Sequence, residues 1–299
     1  MSKPAIGFIG LGLMGNAMVE NLQARGFDLT VMANRSRPHV DAAVARGATE
    51  VSSAREVAGA SDIVMLCMDT SDSVESRMRG ENGIIAGLKP NAVVIDFGTS
   101  LPNSTRALGE EVKTKGATML DAPLGRTPAH AKDGLLNIMA AGDKPAFEQV
   151  KPILEEMGEN VFHLGELGAG HTIKLMNNFF GMTTALAMSE AFAMADKAGI
   201  DRKQLYDVMS AGPLHSGMMD FVAAFAVDKD PSKLEFSIRN ARKDVGYYSR
   251  MADDLGAPSI VSAATKQGLG IATSNGYGDQ MVSEMVTFFQ DLFDENHQS

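Results

Sequence analysis

The sequence predicts an α/β domain built on a doubly wound parallel sheet, followed by a second, all-α domain that a long interdomain helix joins to the first. In the first half of the chain, short apolar runs alternate with helical patterns, as in parallel strands linked by crossover helices. From about residue 165 onward, only helical spacing continues. A chain of 299 residues is long enough for two domains. We place these domains at residues 1–165 and 166–299.

Five apolar runs in the first half predict the strands of the sheet. In open α/β sheets, ligands bind beyond the carboxyl ends of the strands. We therefore expect the functional loops to follow Ile9, Met32, Leu66, Asp96 and Asp121. The runs are AIGFIG (5–10), DLTVMA (28–33), DIVMLCM (62–68), AVVIDF (92–97) and ATMLDAP (117–123).

The second half predicts helices. The stretch from Ala169 to Ala198 contains no proline and is rich in Ala, Met and Leu at helical spacing. It predicts one helix of about 45 Å at 1.5 Å per residue. Glycine and proline breaks separate the remaining predicted helices, which are residues 202–210, 217–226, 236–255, 259–273 and 280–294.

Composition narrows the class of protein. The net charge of -10 is spread along the chain without a basic cluster, which argues against nucleic acid or a membrane surface as a partner. The single cysteine, Cys67, rules out an internal disulfide, and no secretory leader pattern precedes the first strand. We expect a cytoplasmic protein. No group of His, Cys, Asp and Glu has the spacing of a zinc site, so no metal is expected.

The first motif is the glycine pattern GxGxxG in GFIGLGLMGNAM, which lies between an apolar strand and a helix. Gly10 permits the tight turn, Gly12 lets a pyrophosphate approach the backbone, and Gly15 lets the helix pack on the strand. Unpaired amides at the helix start attract phosphate charge. The pattern predicts a Rossmann-type domain that binds a nicotinamide dinucleotide, the alternative being a glycine-rich turn without a ligand.

The end of the second strand bears on the choice of cofactor. An Asp or Glu at this place would bind the ribose hydroxyls of NAD, but the chain has Asn34, Arg35 and Ser36. These side chains offer hydrogen-bond donors, and an arginine here accommodates a 2′-phosphate. We therefore expect NADP(H) to be preferred, with NAD(H) possible. The alternative is that Arg35 is a solvated surface charge.

A further motif, GAGHTIKLMNN, stands at the start of the long predicted helix. Lys174 and Asn178 are four residues apart and share one helix face. A lysine ammonium can protonate an oxygen as hydride arrives, and an amide can hold the same oxygen or a neighbouring hydroxyl. His171 lies on roughly the same face and is a weaker candidate. On spacing alone, a solvated helix lysine is the alternative.

Taken together, these segments resemble the β-hydroxyacid dehydrogenases, the family of 3-hydroxyisobutyrate dehydrogenase and tartronate semialdehyde reductase. GFIGLGLMGNAMVENL resembles the cofactor signature of the family, and DAPLGRTPAHAKDG (121–134) its substrate segment. GAGHTIKLMNN resembles the catalytic segment, and Lys243 with Asp244 a late lysine pair. The resemblance covers nearly the whole chain and implies an NAD(P)-dependent oxidoreductase, with Lys174 as the acid and base and a homodimer or homotetramer as the assembly.

The resemblance also implies roles for individual residues. Asn178 would orient the substrate, and Lys243 would lie near the nicotinamide. The residues implied to contact the rest of the cofactor are Leu13 and Met14 at the pyrophosphate, Met68 on the adenosine side and Thr99 at the nicotinamide ribose, together with Leu11 in the glycine turn.

The substrate segment departs from the family pattern. Most members have Ser-Gly-Gly where this chain has Gly125, Arg126 and Thr127. A guanidinium suits bidentate binding of a carboxylate, phosphate or sulfonate. This segment is similar to that of the sulfolactaldehyde reductase branch, in which the arginine recognises a sulfonate. That branch has an acidic residue at the end of its second strand and uses NADH. The alternative for Arg126 is an ion pair with a carboxylate such as Asp121, or a cofactor contact.

The resemblance therefore implies reversible hydride transfer to a short anionic aldehyde, with sulfolactaldehyde or a related semialdehyde as the first expectation. Other substrates left open are 3-hydroxyisobutyrate, tartronate semialdehyde, succinic semialdehyde and glyoxylate. An imine reductase shares this fold but usually replaces the lysine. A dinucleotide-binding protein without catalytic activity is the remaining alternative.

Overall fold

The computed structural model describes residues 3–34 and 37–294. The chain divides into two compact units, Met1–Lys174 and Leu175–Ser299. The division falls inside the long predicted helix, shortly after the domain boundary expected at residue 165. The placement of the functional domain boundary stays a prediction.

The first unit contains one mixed sheet whose neighbours run in the order β3-β2-β1-β4-β5-β6-β8-β7, with β9 beside β8. Its strands are β1 (Ile6–Ile9), β2 (Leu29–Met32), β3 (Thr49–Val51), β4 (Ile63–Leu66), β5 (Val93–Asp96), β6 (Thr118–Asp121), β7 (Leu124–Gly125), β8 (Leu136–Gly142) and β9 (Gly158–His163).

Six adjacent strands of the sheet run parallel to one another, which confirms the predicted Rossmann-type sheet; in spatial order they are β3, β2, β1, β4, β5 and β6. The chain leaves β1 toward β2 on one side and later returns to β4 on the other. This reversal is the topological switch point, where the crevice for a ligand opens beyond the carboxyl ends of the strands. The glycine motif follows β1 directly and therefore lies at this point.

The rest of the sheet was not predicted. β8 is antiparallel to β6 and β7 and parallel to β9, so the sheet is mixed beyond β6. β3 and β7 have three and two residues, too few for an apolar pattern to emerge. In β9 only Gly158 is buried, and the polar residues of this strand leave no apolar run from which it could be predicted.

Alternate residues of the central strands face two different apolar clusters. In β4, Ile63 and Met65 belong to one cluster, whereas Val64 and Leu66 belong to the other. Helices therefore cover both faces, as the doubly wound pattern requires. The helices of this unit are α1 (Leu13–Ala24), α2 (Pro38–Ala45), α3 (Ala54–Ala60), α4 (Ser71–Met78), α5 (Ile84–Gly87), α6 (Pro102–Lys113), α7 (Pro128–Asp133) and α8 (Lys144–Met157).

The long helix α9 (Ala169–Lys197) forms as predicted and continues across the division between the units. The second unit is helical, and the predicted all-α domain is confirmed. Its core contains methionine, alanine and phenylalanine side chains such as Met188, Phe192 and Met285. The remaining helices are α10 (Arg202–Ser210), α11 (Gly217–Asp228), α12 (Ile238–Asp254), α13 (Ile260–Ala272) and α14 (Met285–Phe293).

The helical unit also carries an open apolar cleft of about 440 Å³. Phe180 is 73% exposed at its edge, and Leu214 and Val261 are also exposed. A surface of this kind is typical of an interaction site, but the assembly state stays a prediction.

Residues 3–34 and 37–294 contain neither a helix that could span a membrane nor a group of side chains that could hold a metal ion. None of their helices combines the length and the hydropathy that crossing a bilayer requires. No group of three or more His, Cys, Asp and Glu side chains is arranged to hold a metal ion. The cytoplasmic location expected from the sequence stays a prediction.

Candidate active site

The turn between β1 and α1 depends on backbone groups that lie where side chains would otherwise be. Gly10 has a φ of 96°, and a Cβ atom there would lie 2.3 Å from the carbonyl oxygen of Cys67. A Cβ atom on Gly15 would lie 2.0 Å from the carbonyl oxygen of Gly10. Both distances are well inside van der Waals contact, so only glycine fits these two positions.

Gly12 is different, because a Cβ atom there would meet nothing within 4 Å. Gly12 is the N-cap of α1, has no side chain with which to cap the helix, and is followed by a first turn without acidic residues. The amides at this helix start are therefore available to an anion. The space at Gly12 is open, and it is the place where the glycine pattern predicts a pyrophosphate.

A cleft of about 470 Å³ opens beside this turn, beyond the carboxyl ends of β1, β2 and β4. It brings together five residues that the sequence predicted to bind the cofactor, namely Gly10, Leu11, Gly12, Asn34 and Met68.

The other predicted cofactor residues lie elsewhere. Leu13 is 73% exposed at the start of α1, whereas Met14 packs on the core. Thr99 is half-buried after β5. Lys243 belongs to the helical unit, and Arg35 and Ser36 lie outside the described residues.

An arginine that the sequence reasoning missed lines the same cleft. Arg77, near the end of α4, donates a hydrogen bond from Nη2 to Oδ1 of Asn34 at 2.7 Å. Asp69 and Asp72 also line the cleft, and of the described lining residues Arg77 alone carries a positive charge. The end of β2 thus has a cation supplied by a helix more than forty positions later in the chain. A signal from local sequence could not reveal this pairing.

The loop after β7 places Arg126 in an unusual backbone conformation. Its φ of 77° lies in the left-handed region, which a residue with a Cβ adopts at a cost in free energy. The resemblance noted in the sequence implies glycine at this place in most relatives, and glycine adopts that conformation without such a cost. The guanidinium Nη1 donates to the carbonyl oxygen of Leu135 and forms a short ion pair with Glu159. The ion-pair alternative for Arg126 is therefore observed, with Glu159 and not Asp121 as the carboxylate.

The neighbours of Arg126 make local contacts. Gly125 is in β7 and pairs with Asn137 of β8. The Thr127 hydroxyl lies 2.7 Å from Nδ1 of His130 on the following helix. These contacts fix the loop, and the predicted roles of Gly125, Arg126 and Thr127 in substrate binding stay proposals.

Lys174 lies in the second turn of α9 and is half-buried. Four residues later on the same helix, Asn178 is buried and donates from Nδ2 to Oδ2 of Asp244 at 2.6 Å. Asp244 also pairs through Oδ1 with Nζ of Lys243 at 3.0 Å. Asp244, which the resemblance implied only as the neighbour of Lys243, thus contacts two predicted site residues, Asn178 and Lys243.

His171 does not extend toward solvent beside Lys174 but is fully buried. Its ring lies among Thr105, Asp96 and Asp121. Asp121 accepts hydrogen bonds from the backbone amides of Gly168 and His171, each at 2.7 Å. The sequence signal that could have pointed to this buried group is that Asp96 and Asp121 each end a strand, where functional residues are expected.

Two family models match consecutive parts of the chain. The model described as the NAD binding domain of 6-phosphogluconate dehydrogenase matches residues 5–165. The model described as NAD-binding of NADP-dependent 3-hydroxyisobutyrate dehydrogenase matches residues 168–289.

Relatives of known activity match over nearly the whole length. The chain is 30% identical to the chloroplastic glyoxylate/succinic semialdehyde reductase 2 of Arabidopsis thaliana, over 94% of this chain and 78% of that protein. It is 32% identical to 3-sulfolactaldehyde reductase of Escherichia coli K12, over 92% of each chain.

A solved structure supports the fold. Mycobacterium tuberculosis 3-hydroxyisobutyrate dehydrogenase with L-serine superposes with a TM-score of 0.87 and is 24% identical. The match covers 97% of this chain and 100% of the other.

The three glycines of the turn predict different outcomes on substitution. We expect Gly12→Ala to leave the thermal unfolding midpoint within about 1 °C, because the new methyl group contacts nothing, and to weaken NADPH and NADH binding about tenfold or more. Gly15→Ala should lower the midpoint or abolish folding, because its Cβ would collide with backbone. Fluorescence titration and calorimetry measure both. Undiminished binding by Gly12→Ala would contradict the assignment of the cofactor to this turn.

Proposed function

Because the chain belongs to the 3-hydroxyisobutyrate dehydrogenase-like family of NAD(P)-dependent oxidoreductases that act on CH–OH groups, we propose that it is an NADP(H)-dependent reductase of a short anionic semialdehyde. Sulfolactaldehyde is the leading candidate. The observation that carries the proposal is Lys174 in the second turn of α9, in a chain whose β1–α1 turn fits a dinucleotide.

Lys174 is the proposed acid and base. The nicotinamide, when bound, supplies the hydride in reduction and accepts it in oxidation. The Lys174 ammonium donates a proton to the alkoxide oxygen that forms from the aldehyde, and the neutral amine takes the proton back in the reverse reaction. Asn178 orients the substrate. Asp244 accepts one of the two amide hydrogens of Asn178 and so fixes the plane of the amide.

A steady-state screen tests this function. The aldehydes are sulfolactaldehyde, succinic semialdehyde, tartronate semialdehyde, methylmalonate semialdehyde and glyoxylate, each with NADPH and with NADH. We expect Lys174→Ala to lower kcat about 10²-fold or more, because general acid catalysis contributes this much. Lys197→Ala is the matched control, since Lys197 lies at the far end of α9 and pairs with Asp294.

Three outcomes would overturn the proposal. Near-normal turnover by Lys174→Ala would remove the lysine from the chemistry. Activity with cyclic imines and none with semialdehydes would indicate an imine reductase. Cofactor binding without turnover of either class would indicate a dinucleotide-binding protein without catalytic activity.

The geometry of Arg126 supports a role in recognising the acidic group of the substrate. Its contacts with described residues all involve Nη1, which leaves the edge formed by Nε and Nη2 for a bidentate anion. The contacts to Leu135 and Glu159 hold the guanidinium plane in one orientation. The strained backbone at Arg126 favours a functional reason for the side chain, because a glycine would adopt the same φ without cost. Glu159 offsets part of the positive charge.

We expect Arg126→Ala to raise KM for the anionic substrate about tenfold or more and to change KM for a neutral aldehyde such as propionaldehyde less than threefold, because one charge-assisted pair is lost. Glu159→Gln should lower KM for the anion, since it removes a competing negative charge while retaining a hydrogen-bond acceptor.

Arg25→Ala is the matched control for this measurement. Arg25 forms an ion pair with Glu156 whose exposure is similar to that of the Arg126 pair. Equal increases in KM for charged and neutral aldehydes would mean that Arg126 acts only on the structure of the loop.

A separate proposal concerns the preference of the protein for NADPH over NADH. The chain has no acidic side chain at positions 33 to 36, where one would favour NAD. Arg77 holds the side chain of Asn34 and adds a guanidinium to this end of the cleft. Arg35 lies outside the described residues. The proposal is that NADPH is preferred because these groups bind the 2′-phosphate.

We expect Arg77→Ala to raise KM for NADPH about tenfold and KM for NADH less than twofold, because NADH lacks the 2′-phosphate. Arg79→Ala is the control, since Arg79 pairs with Glu75 and Glu111 and does not line the cleft. An equal loss with both cofactors would assign Arg77 to the adenosine or to the local fold.

A further inference from the structure

A buried cluster of four polar side chains lies where the first turn of α9 meets the sheet. It contains Asp96 at the end of β5, Thr105 of α6, Asp121 at the end of β6 and His171 of α9. All four side chains are at most 2% exposed and belong to the first unit. The proposed reaction uses none of them, and His171 is the one that sequence reasoning had placed near the site.

Asp121 caps α9 from a different element. Its Oδ1 accepts from the amide of Gly168, and its Oδ2 accepts from the amide of His171. The amides at a helix start have no partners within the helix, and a carboxylate there also interacts favourably with the helix dipole. Burial raises the pKa of Asp121, while His171 and the two amides act in the opposite direction.

The start of the helix is packed against this carboxylate without spare room. A Cβ atom on Gly170 would lie 2.2 Å from the carbonyl oxygen of Met139 in β8 and 2.8 Å from Oδ2 of Asp121. Gly168 has a φ of 93°, which turns the chain into the helix. The backbone of the first turn is thus held to within contact distance of the end of β6 and the middle of β8.

His171 connects the same turn to two further elements. Its Nδ1 lies 2.8 Å from the hydroxyl of Thr105. Its buried Nε2 makes no hydrogen bond with the described residues and lies 3.7 Å from Oδ2 of Asp96, a charge contact only. Asp96 is itself held, because its carboxylate accepts from the amide of Gly98 and the hydroxyl of Ser100, both at 2.8 Å.

Stability alone does not explain two buried carboxylates around one imidazole. Replacing such buried charges by packed apolar side chains is often neutral or stabilising. The hydrogen bonds of the polar cluster fix how the first turn of α9 is rotated about the helix axis and where the turn lies along that axis. Lys174 follows His171 by three residues, which is about 4.5 Å along the helix and nearly one full turn.

We propose that Asp96, Thr105, Asp121 and His171 form a positioning cluster for Lys174, which sets where the lysine ammonium lies by fixing the first turn of the helix that carries it. The inference rests on the proposed function, because it requires Lys174 to be the acid. A displacement of about 1 Å at a reacting group can lower a rate about 10²-fold, so fixing the helix matters more for kcat than for binding.

The test compares kcat with cofactor binding in matched variants. Thr105→Val retains the shape of the side chain and removes the hydroxyl at His171, and Asp121→Asn replaces one amide acceptor by a donor. With sulfolactaldehyde and glyoxylate as the aldehydes, we expect kcat to fall about fivefold or more in Thr105→Val and about tenfold or more in Asp121→Asn. The Kd for NADPH should change less than twofold. Thr105→Ser should restore kcat to within about twofold.

Asp143→Asn is the control for a general loss of a helix cap. The Asp143 side chain accepts from the amide of Ala146 and caps α8, which does not carry Lys174. This variant should lower the thermal midpoint without lowering kcat of the folded protein. If Asp121→Asn does not fold, the Thr105 pair alone decides the outcome.

The outcomes separate the inference from the proposed function. Wild-type protein without turnover, or Lys174→Ala with normal turnover, would refute the proposed function and the inference with it. If turnover requires Lys174 but Thr105→Val keeps a normal kcat, the positioning cluster alone is refuted. Equal losses of kcat in Thr105→Val and Thr105→Ser would also refute it, because the hydroxyl would then not be the cause.

Discussion

The close approach of backbone to backbone at the β1–α1 turn is the constraint on which the nucleotide site depends. The carbonyl of Gly10 occupies the place of a Cβ on Gly15, and the carbonyl of Cys67 occupies that of a Cβ on Gly10. This packing directs the start of α1 toward the crevice between β1 and β4. The amides at the helix start and the cleft beside them exist only because these two positions lack side chains.

The acidic residues near the proposed chemistry are divided between two tasks. Asp121 is buried and holds the first turn of α9 through two backbone amides. Glu159 is half exposed and holds the guanidinium of Arg126. The carboxylate that caps the helix and the carboxylate that orients the arginine are therefore different residues.

Much of the architecture could be predicted because its signals are local. The apolar runs of β1, β2, β4, β5 and β6 and the long proline-free stretch of α9 need only neighbouring residues to be recognised. The strands β3, β7 and β9 were missed, because short or partly exposed edge strands bury few side chains and carry no periodic signal. β8 was also missed, although it is a seven-residue interior strand whose first four residues alternate between buried and half-buried.

By itself, the sequence determined the Rossmann-type domain, the helical second unit and the family, through glycine spacing, hydrophobic periodicity and ordered motifs. Only the tertiary structure decided the partners of the charged side chains. Arg77 reaches Asn34, Arg126 reaches Glu159, and Asp121 reaches the start of α9 across large separations in sequence. The physical reason is that a hydrogen bond depends on distance in space, which spacing along the chain specifies only within one helix or one turn.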